Sequence, residues 1–232
     1  MKNLAVIPAR GGSKRIPKKN IKLFKNKPMI AWSIEAAKNS NCFDEILVST
    51  DDKGIAAISE EYGANVPFLR PKELSDDFTP THSVIEHAIT WLYDNQISYQ
   101  NVCCIYPTAP LIQVEDLKKS LKILANSIED IYVFVATTYP YQIFRSFLID
   151  DEGYSKMIYP EKFQERSQDL EDAFHDAGQF YWAKSKTWIN NKNIFQRAKP
   201  LVIPRWRVQD IDNEEDWFRA EILYELLEKD KI

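Results

Sequence analysis

Five cationic side chains crowd ten positions near the start of the chain: Arg10, Lys14, Arg15, Lys18 and Lys19. Two of its six glycines, Gly11 and Gly12, stand among them. A glycine-rich turn straight after an apolar run aims several backbone N–H groups at one point, and such a nest binds phosphate oxygens. Glycine lets the backbone approach a ligand with no Cβ in the way. Lysine and arginine add charge and donors suited to a triphosphate. The spacing is neither the Gly-x-x-x-x-Gly-Lys-Ser/Thr of a P-loop nor the Gly-x-Gly-x-x-Gly of dinucleotide sites. The plain alternative is an exposed, solvated basic loop. A second candidate lies near the other end. Asp210 and Asp212, two apart, point to the same side of an extended chain. A hydrated Mg²⁺ takes one or two carboxylates plus phosphate oxygens. The same stretch reads equally well as a helix start, a capping box with Asp212 as N-cap and Glu215 at the third helical position.

Other reactive residue types form no comparable pattern. His82 and His87 are five apart, which does not stack them on one helix face; both read as ordinary helix residues. His175 fits either a pocket wall or a structural hydrogen bond. Cys103 and Cys104 sit in an apolar run and read as core, as do Trp91 and Trp217. Arg205 and Arg207, around Trp206, suit a phosphate or carboxylate ligand and suit pairing with nearby aspartates equally.

The elements that must position these residues alternate. Asn3–Pro8 reads as a buried strand, followed by a helix over 28–40 with Pro28 in its first turn. A strand at 45–50 precedes a helix over 51–63, started by aspartate and stopped by Gly63. Residues 81–95 carry Val84, Ile85, Ala88, Ile89 and Leu92 at helical spacing. A strand at 101–107, a helix at 114–127 and a strand at 131–137 follow. This order predicts a three-layer, doubly wound α/β fold with a mostly parallel sheet. Residues 139–177 break the pattern and read as an insertion, with a hairpin turning at Asp150–Gly153. Strand character returns at 178–184, and residues 213–230 predict a closing amphipathic helix.

Composition narrows the classes. The 232 residues are 44% hydrophobic and 28% charged, with formal net charge −4. Such a chain is long enough for one large core. It has no long apolar run, so no membrane partner is expected, and no signal peptide is read at the N-terminus. Three cysteines without a spaced Cys/His pattern predict a reducing, cytoplasmic setting and no zinc site. The acidic balance argues against nucleic acid as a partner. The positive loop is therefore aimed at a small anion.

The run Ile7, Pro8, Ala9, Arg10, Ser13, Lys14, Lys19, Asn20 resembles the nucleotide-binding signature of the CMP-sugar synthetases. These are cytidylyltransferases that act on sialic-acid-like nonulosonic acids. Further pieces match in order: Ser49–Asp52, the Arg70–Thr81 segment, Tyr106–Ile112, Arg166–Leu170, Asp176–Trp182 and Asp210-x-Asp212. The resemblance runs from residue 4 to about 217. It implies a nucleotide-diphospho-sugar transferase-like fold, with 139–177 as a dimerisation arm and a homodimer as the assembly. It implies CTP and a nonulosonic acid as substrates, pyrophosphate as leaving group, and Mg²⁺, or alternatively Mn²⁺, as the cofactor. The product would feed surface glycan or flagellin glycosylation.

Residue by residue, the resemblance assigns nucleotide binding to Ala9, Arg10, Gly11, Ser13, Lys19, Asn20, Arg70 and Thr81. Arg10, Lys19 and Asp212 are its catalytic set, and Asp210 with Asp212 its metal ligands. Tyr106, Gln179 and Tyr181 meet the sugar. Arg166 reaches the sugar carboxylate in a partner's site, since a guanidinium matches a carboxylate fork. Two departures matter: Tyr106 stands where sialic-acid enzymes carry glutamine, and Ile112 where they carry arginine. A phenol lacks the amide's paired donor and acceptor. The chain looks most like the pseudaminic acid branch, with legionaminic and sialic acid as alternatives. A metal-dependent glycosyltransferase and a catalytically silent nucleotide-binding module stay open as other classes.

Overall fold

A computed structural model describes residues 2–229. Strand β1 (Asn3–Pro8) leads through a two-residue hairpin, β2 (Leu23–Phe24) and β3 (Lys27–Pro28), into helix α1 (Met29–Ser40). Then come β4 (Glu45–Ser49), α2 (Lys53–Glu61), α3 (Thr81–Asp94), β5 (Asn101–Ile105), α4 (Val114–Ala125) and β6 (Tyr132–Thr138). The remainder is β7 (Phe147–Ile149), β8 (Ser155–Met157), β9 (Phe174–Lys184), α5 (Ser185–Asn190), β10 (Ala198–Val202) and α6 (Glu214–Lys229).

Six strands form the central sheet in the order β10-β6-β9-β5-β1-β4. All neighbours are parallel except β9, which runs antiparallel to both β5 and β6. The sheet is buried on both faces. In β1, Ala5 and Ile7 join the core under α1, α2 and α4, while Leu4 and Val6 join the core under α3 and α5. Burial on both sides is why this strand reads as an unbroken apolar run rather than an alternation.

The three-layer expectation holds, with local corrections. Pro28 is not inside α1 but precedes it at φ −52°, ψ 137°. Its N–H-less nitrogen sits where a helix has no partner for a donor. Asp52 caps α2 by accepting from the N–H groups of Gly54 (2.7 Å) and Ile55 (2.9 Å). Gly63 ends the following turn at φ +91°, a conformation glycine adopts freely. Strand β9 starts at Phe174, four residues before the expected 178. Trp217 is core, whereas Trp91 is only half-buried against Phe68. Asp230, the last residue of the expected closing helix, lies outside the described residues. Strand β10 has no mark in the sequence pattern, and its Pro200 is tolerated because the strand is at the sheet edge.

A third, smaller core decides the site. Ile16, Phe24, Met29, Ile211, Trp217 and Ala220 are all buried together, with Trp32 and Tyr224 against them. Phe24 is presented by the β2–β3 turn, in which Lys25 and Asn26 take φ 47° and 64°, the left-handed pair a tight hairpin needs. Its ring meets Trp217 edge-on at 5.6 Å and Tyr224 at 5.8 Å. Ile16 lies inside the basic loop and Ile211 between the two aspartates. Their shared burial fastens the two candidate motifs together.

Candidate active site

The basic loop leaves β1 at the carboxyl end of the sheet, where open α/β sheets bind ligands. Ala9 N–H donates to Ser49 O (2.9 Å), extending the pairing with β4 by one residue. Gly11 N–H donates to Asp51 Oδ1 (2.9 Å) and Ser13 N–H to Gly11 O (3.0 Å). Those two donors are already engaged, so the loop is not the open row of N–H groups its glycines suggest. Gly11 is needed for a different reason: a Cβ there would stand 2.9 Å from Asp52 Oδ2. Gly12 faces open space. Asn20 is 5% exposed, and its amide donates to Arg10 O (2.9 Å), bracing the loop from behind.

The cations fan out from this loop toward two acidic segments. Arg10 reaches Asp77 Oδ1 (2.8 Å) and the Asp76 carbonyl, and Lys14 meets the other Asp77 oxygen. Arg15 meets Asp212 Oδ1 at 2.7 Å. Lys19 Nζ donates to Ile211 O (2.6 Å) and lies 3.8 Å from Asp212 Oδ1. Burial pulls the Lys19 ammonium below its usual range, partly opposed by Asp212 and Asp210. Asp210 is pushed above the usual carboxylate range, by burial first and by Asp212 second. Taken as a whole residue, Asp210 is exposed and Asp212 half-buried, and Asp212 has both Arg15 at 2.7 Å and Lys19 at 3.8 Å against it.

The capping question is settled against Asp212. Asn213 Oδ1 accepts from Asp216 N–H (3.0 Å), while Asp216 Oδ2 accepts from Asn213 N–H (3.1 Å). The reciprocal box is thus one residue later than Asp212–Glu215, and the Asp212 carboxylate is left facing the cations. Among the described residues, no group of three or more His, Cys, Asp or Glu is placed to hold a metal ion. Asp210 and Asp212 remain as a pair.

Beside the loop, a cleft of about 280 Å³ is lined by Arg10, Arg70, Asp77, Thr81, Tyr106 and Thr108, among others. Arg70 is 5% exposed; its Nε donates to Ser75 Oγ (3.1 Å) and Nη2 lies 3.9 Å from Asp51 Oδ1. Thr81, first residue of α3, places Oγ1 3.2 Å from the Tyr106 hydroxyl. Tyr106 packs at 5.3 Å on Tyr181, and burial pushes its phenol up to about 12. Gln179 adjoins this pair, yet its amide is 3% exposed and donates to Arg207 O (2.7 Å). Arg166 stands apart from all of these. It is on the surface, with Nε on Asp169 Oδ2 at 2.7 Å. Arg207 meets Asp116 at 2.9 Å and Arg205 donates to Tyr139 O, so this cluster is paired within the fold. Asp51, Asp52 and Asp77 organise the site without having been assigned to it. Their motifs were visible, but an aspartate in a turn carries no local sign of which loop it will brace.

A profile of the cytidylyltransferase family matches residues 4–231. The chain is 44% identical over 228 residues to a pseudaminic acid cytidylyltransferase of Campylobacter jejuni, covering 97% of both chains. It is 35% identical over 237 residues to a CMP-N,N'-diacetyllegionaminic acid synthase of Legionella pneumophila, again covering 97% of both. Among solved structures, a CMP:2-keto-3-deoxy-manno-octonic acid synthetase complexed with CTP superposes with TM-score 0.71 at 15% identity. That match covers 97% of this chain and 99% of the other, and it bears on the fold.

Proposed function

The chain belongs to the cytidylyltransferase family, and from that premise we propose that it transfers CMP from CTP to pseudaminic acid. The anomeric hydroxyl oxygen attacks the α-phosphorus. The bond from that phosphorus to the bridging oxygen breaks, and pyrophosphate leaves. The observation that carries the choice of sugar is the 44% identity along nearly the whole length of the Campylobacter jejuni enzyme. The phenol of Tyr106 on the cleft wall agrees with it.

Phosphoryl chemistry asks the protein chiefly for position and charge. One loop sends Arg10 and Lys14 to Asp77 and Arg15 and Lys19 to Asp212, and Arg10 and Arg70 line the cleft beside it. Arg10 and Lys19 offset the charge gathering on the departing pyrophosphate. Arg70 and Thr81 hold the nucleotide, with Ser13 on the phosphates and Asn20 holding the loop. Asp212 accepts the proton of the attacking hydroxyl. The pair Asp210 and Asp212, with Asp212 held by Arg15 and Lys19, offers two carboxylates to a divalent cation that would otherwise take water and phosphate oxygens, which suits Mg²⁺. Such an ion, when bound, stabilises negative charge on the triphosphate.

The test is pyrophosphate release from CTP and Mg²⁺ with pseudaminic, legionaminic, sialic and deoxy-octulosonic acids in parallel. Release with pseudaminic acid, abolished in Asp212→Asn, is expected. Release with another acid alone would keep the reaction and discard the sugar.

The expected arm over 139–177 is cut back to 139–173, because residues 174–177 belong to β9, which pairs with β6; residues 139–173 are the proposed homodimer arm. Phe147, Leu148 and Ile149 of β7 are 56%, 62% and 69% exposed. An isolated two-stranded hairpin is marginal in water without a covering surface. A second copy supplies that cover, and Arg166 then reaches the partner's sugar carboxylate. Sedimentation is expected to give a dimer; a fully active monomer would overturn the arm's role. The three cysteines are unpaired, which suits a reducing cytosol. No helix among the described residues is long and apolar enough to cross a membrane.

A further inference from the structure

The chemistry of the basic loop needs its cations for phosphate, yet one carboxylate holds two of them. Arg10 Nη1 lies 2.8 Å from Asp77 Oδ1, and Lys14 Nζ donates to Asp77 Oδ2. Arg10 and Asp77 both line the cleft. Carboxylate and phosphate oxygens make the same kind of charge-assisted hydrogen bond to guanidinium and ammonium groups. Asp77 therefore occupies donors that a phosphate needs. Lys19 differs, because its ammonium is fixed by the Ile211 carbonyl (2.6 Å), a backbone acceptor that cannot swing away.

The turn that carries Asp77 is held independently of that carboxylate. Asp76 Oδ1 accepts from the N–H groups of Phe78 (3.0 Å) and Thr79 (2.7 Å) and from the Thr79 hydroxyl (2.7 Å), a side-chain turn that closes on itself. Ser75 Oγ accepts from Arg70 Nε (3.1 Å) and donates to Pro71 O (2.9 Å). Arg10 Nη1 also donates to Asp76 O, so the arginine keeps an anchor when the carboxylate goes. The Asp77 side chain is 36% exposed. Rotating it into water breaks its two ion pairs and moves no backbone. Ion pairs this exposed are weak, and a polyphosphate sets several negative charges against one, so the exchange runs toward the ligand. We propose that Asp77 is a displaceable counter-ion of the phosphate site. The triphosphate takes Arg10 and Lys14 from it on binding, and Asp77 takes them back as pyrophosphate leaves. It lowers the affinity for polyphosphate and hastens release of the leaving group. The inference rests on the reading that the basic loop holds the triphosphate.

The test is Asp77→Asn, which keeps the side chain's size and removes its charge. The expected effect has a sign that damage to the site would not give. Calorimetry should show pyrophosphate and CTP each binding about fivefold tighter than to the wild type, the scale of an ion pair at a partly exposed site. Pyrophosphate should also inhibit turnover at about fivefold lower concentration, by the same loss of a competitor. Asp130→Asn is the control. Asp130 pairs with Lys184 (3.1 Å) and Lys186 (2.8 Å) just before β6, at the opposite end of the sheet from the basic loop. It removes the same unit of charge and should leave both affinities unchanged. Unchanged or weaker binding of either ligand in Asp77→Asn would overturn the proposal. Equal tightening in Asp130→Asn would do so too, by assigning the effect to net charge. The underlying reading fails in a different way. If pyrophosphate and CTP bind neither the wild type nor Asp77→Asn, the loop does not hold phosphates and Asp77 has nothing to yield to.

Discussion

Replacing Lys19 by alanine is expected to lower turnover by about 10²–10³-fold, the usual loss when one preorganised charge at the reacting group is removed. Its ammonium is fixed by Ile211 O at 2.6 Å and its side chain is only 19% exposed. It therefore delivers charge in a poorly screened place without reorganising. Pre-steady-state pyrophosphate release is the measurement, since it reads the chemical step apart from product release. The pH profile carries a sign. Burial lowers the Lys19 pKa from 10.5, so the charged form, and the activity that needs it, is present below the lowered value. That activity is lost as pH rises through it, and the loss begins earlier than for an exposed lysine. Turnover near wild type in Lys19→Ala would remove this residue from the mechanism.

Trp217→Ala is expected to cost about 3–5 kcal/mol of stability, as for a large buried aromatic. Trp217 is 5% exposed and meets Phe24 at 5.6 Å, and Lys22 Nζ lies 4.6 Å over its ring. It fills the small core that clamps Ile16 to Ile211. Loosening that core is expected to raise KM for CTP in the molecules that remain folded, because Lys19 and Asp212 depend on it for their approach. Urea unfolding measures the first effect and initial-rate kinetics the second. Phe218→Ala, next in sequence and 62% exposed, is the control. It should shift stability by no more than about 0.5 kcal/mol. Equal losses in the two variants would show that the core does not hold the site.

Much of the architecture was legible because it is written in local pattern. Apolar runs bounded by turns gave β1, β4, β5 and β6, and three-and-four spacing gave α3. The basic loop and the acidic pair stood out by composition alone. What failed was local in appearance but tertiary in cause. Asp212 and Asn213 are both good N-caps, and sequence offers no ground for choosing between them. The buried position of Ile211 orients the turn, gives the cap to Asn213 and turns Asp212 toward Arg15. Likewise, Gly11 reads as room for a ligand, yet the space is filled by Asp52 from the next β-α turn.

By itself, then, the sequence determined the α/β alternation and the cationic loop, fixed by residues near one another along the chain where periodicity, charge and turn chemistry act directly. Its motifs carried the resemblance that named the reaction family. The tertiary structure alone decided that β9 runs antiparallel through the middle of the sheet. It alone brought Lys19 to a carbonyl 192 residues away and set Asp77 against Lys14, 63 residues off. Such contacts depend on which buried surfaces fill one another, and packing of that kind leaves no periodic mark on either of the segments it joins.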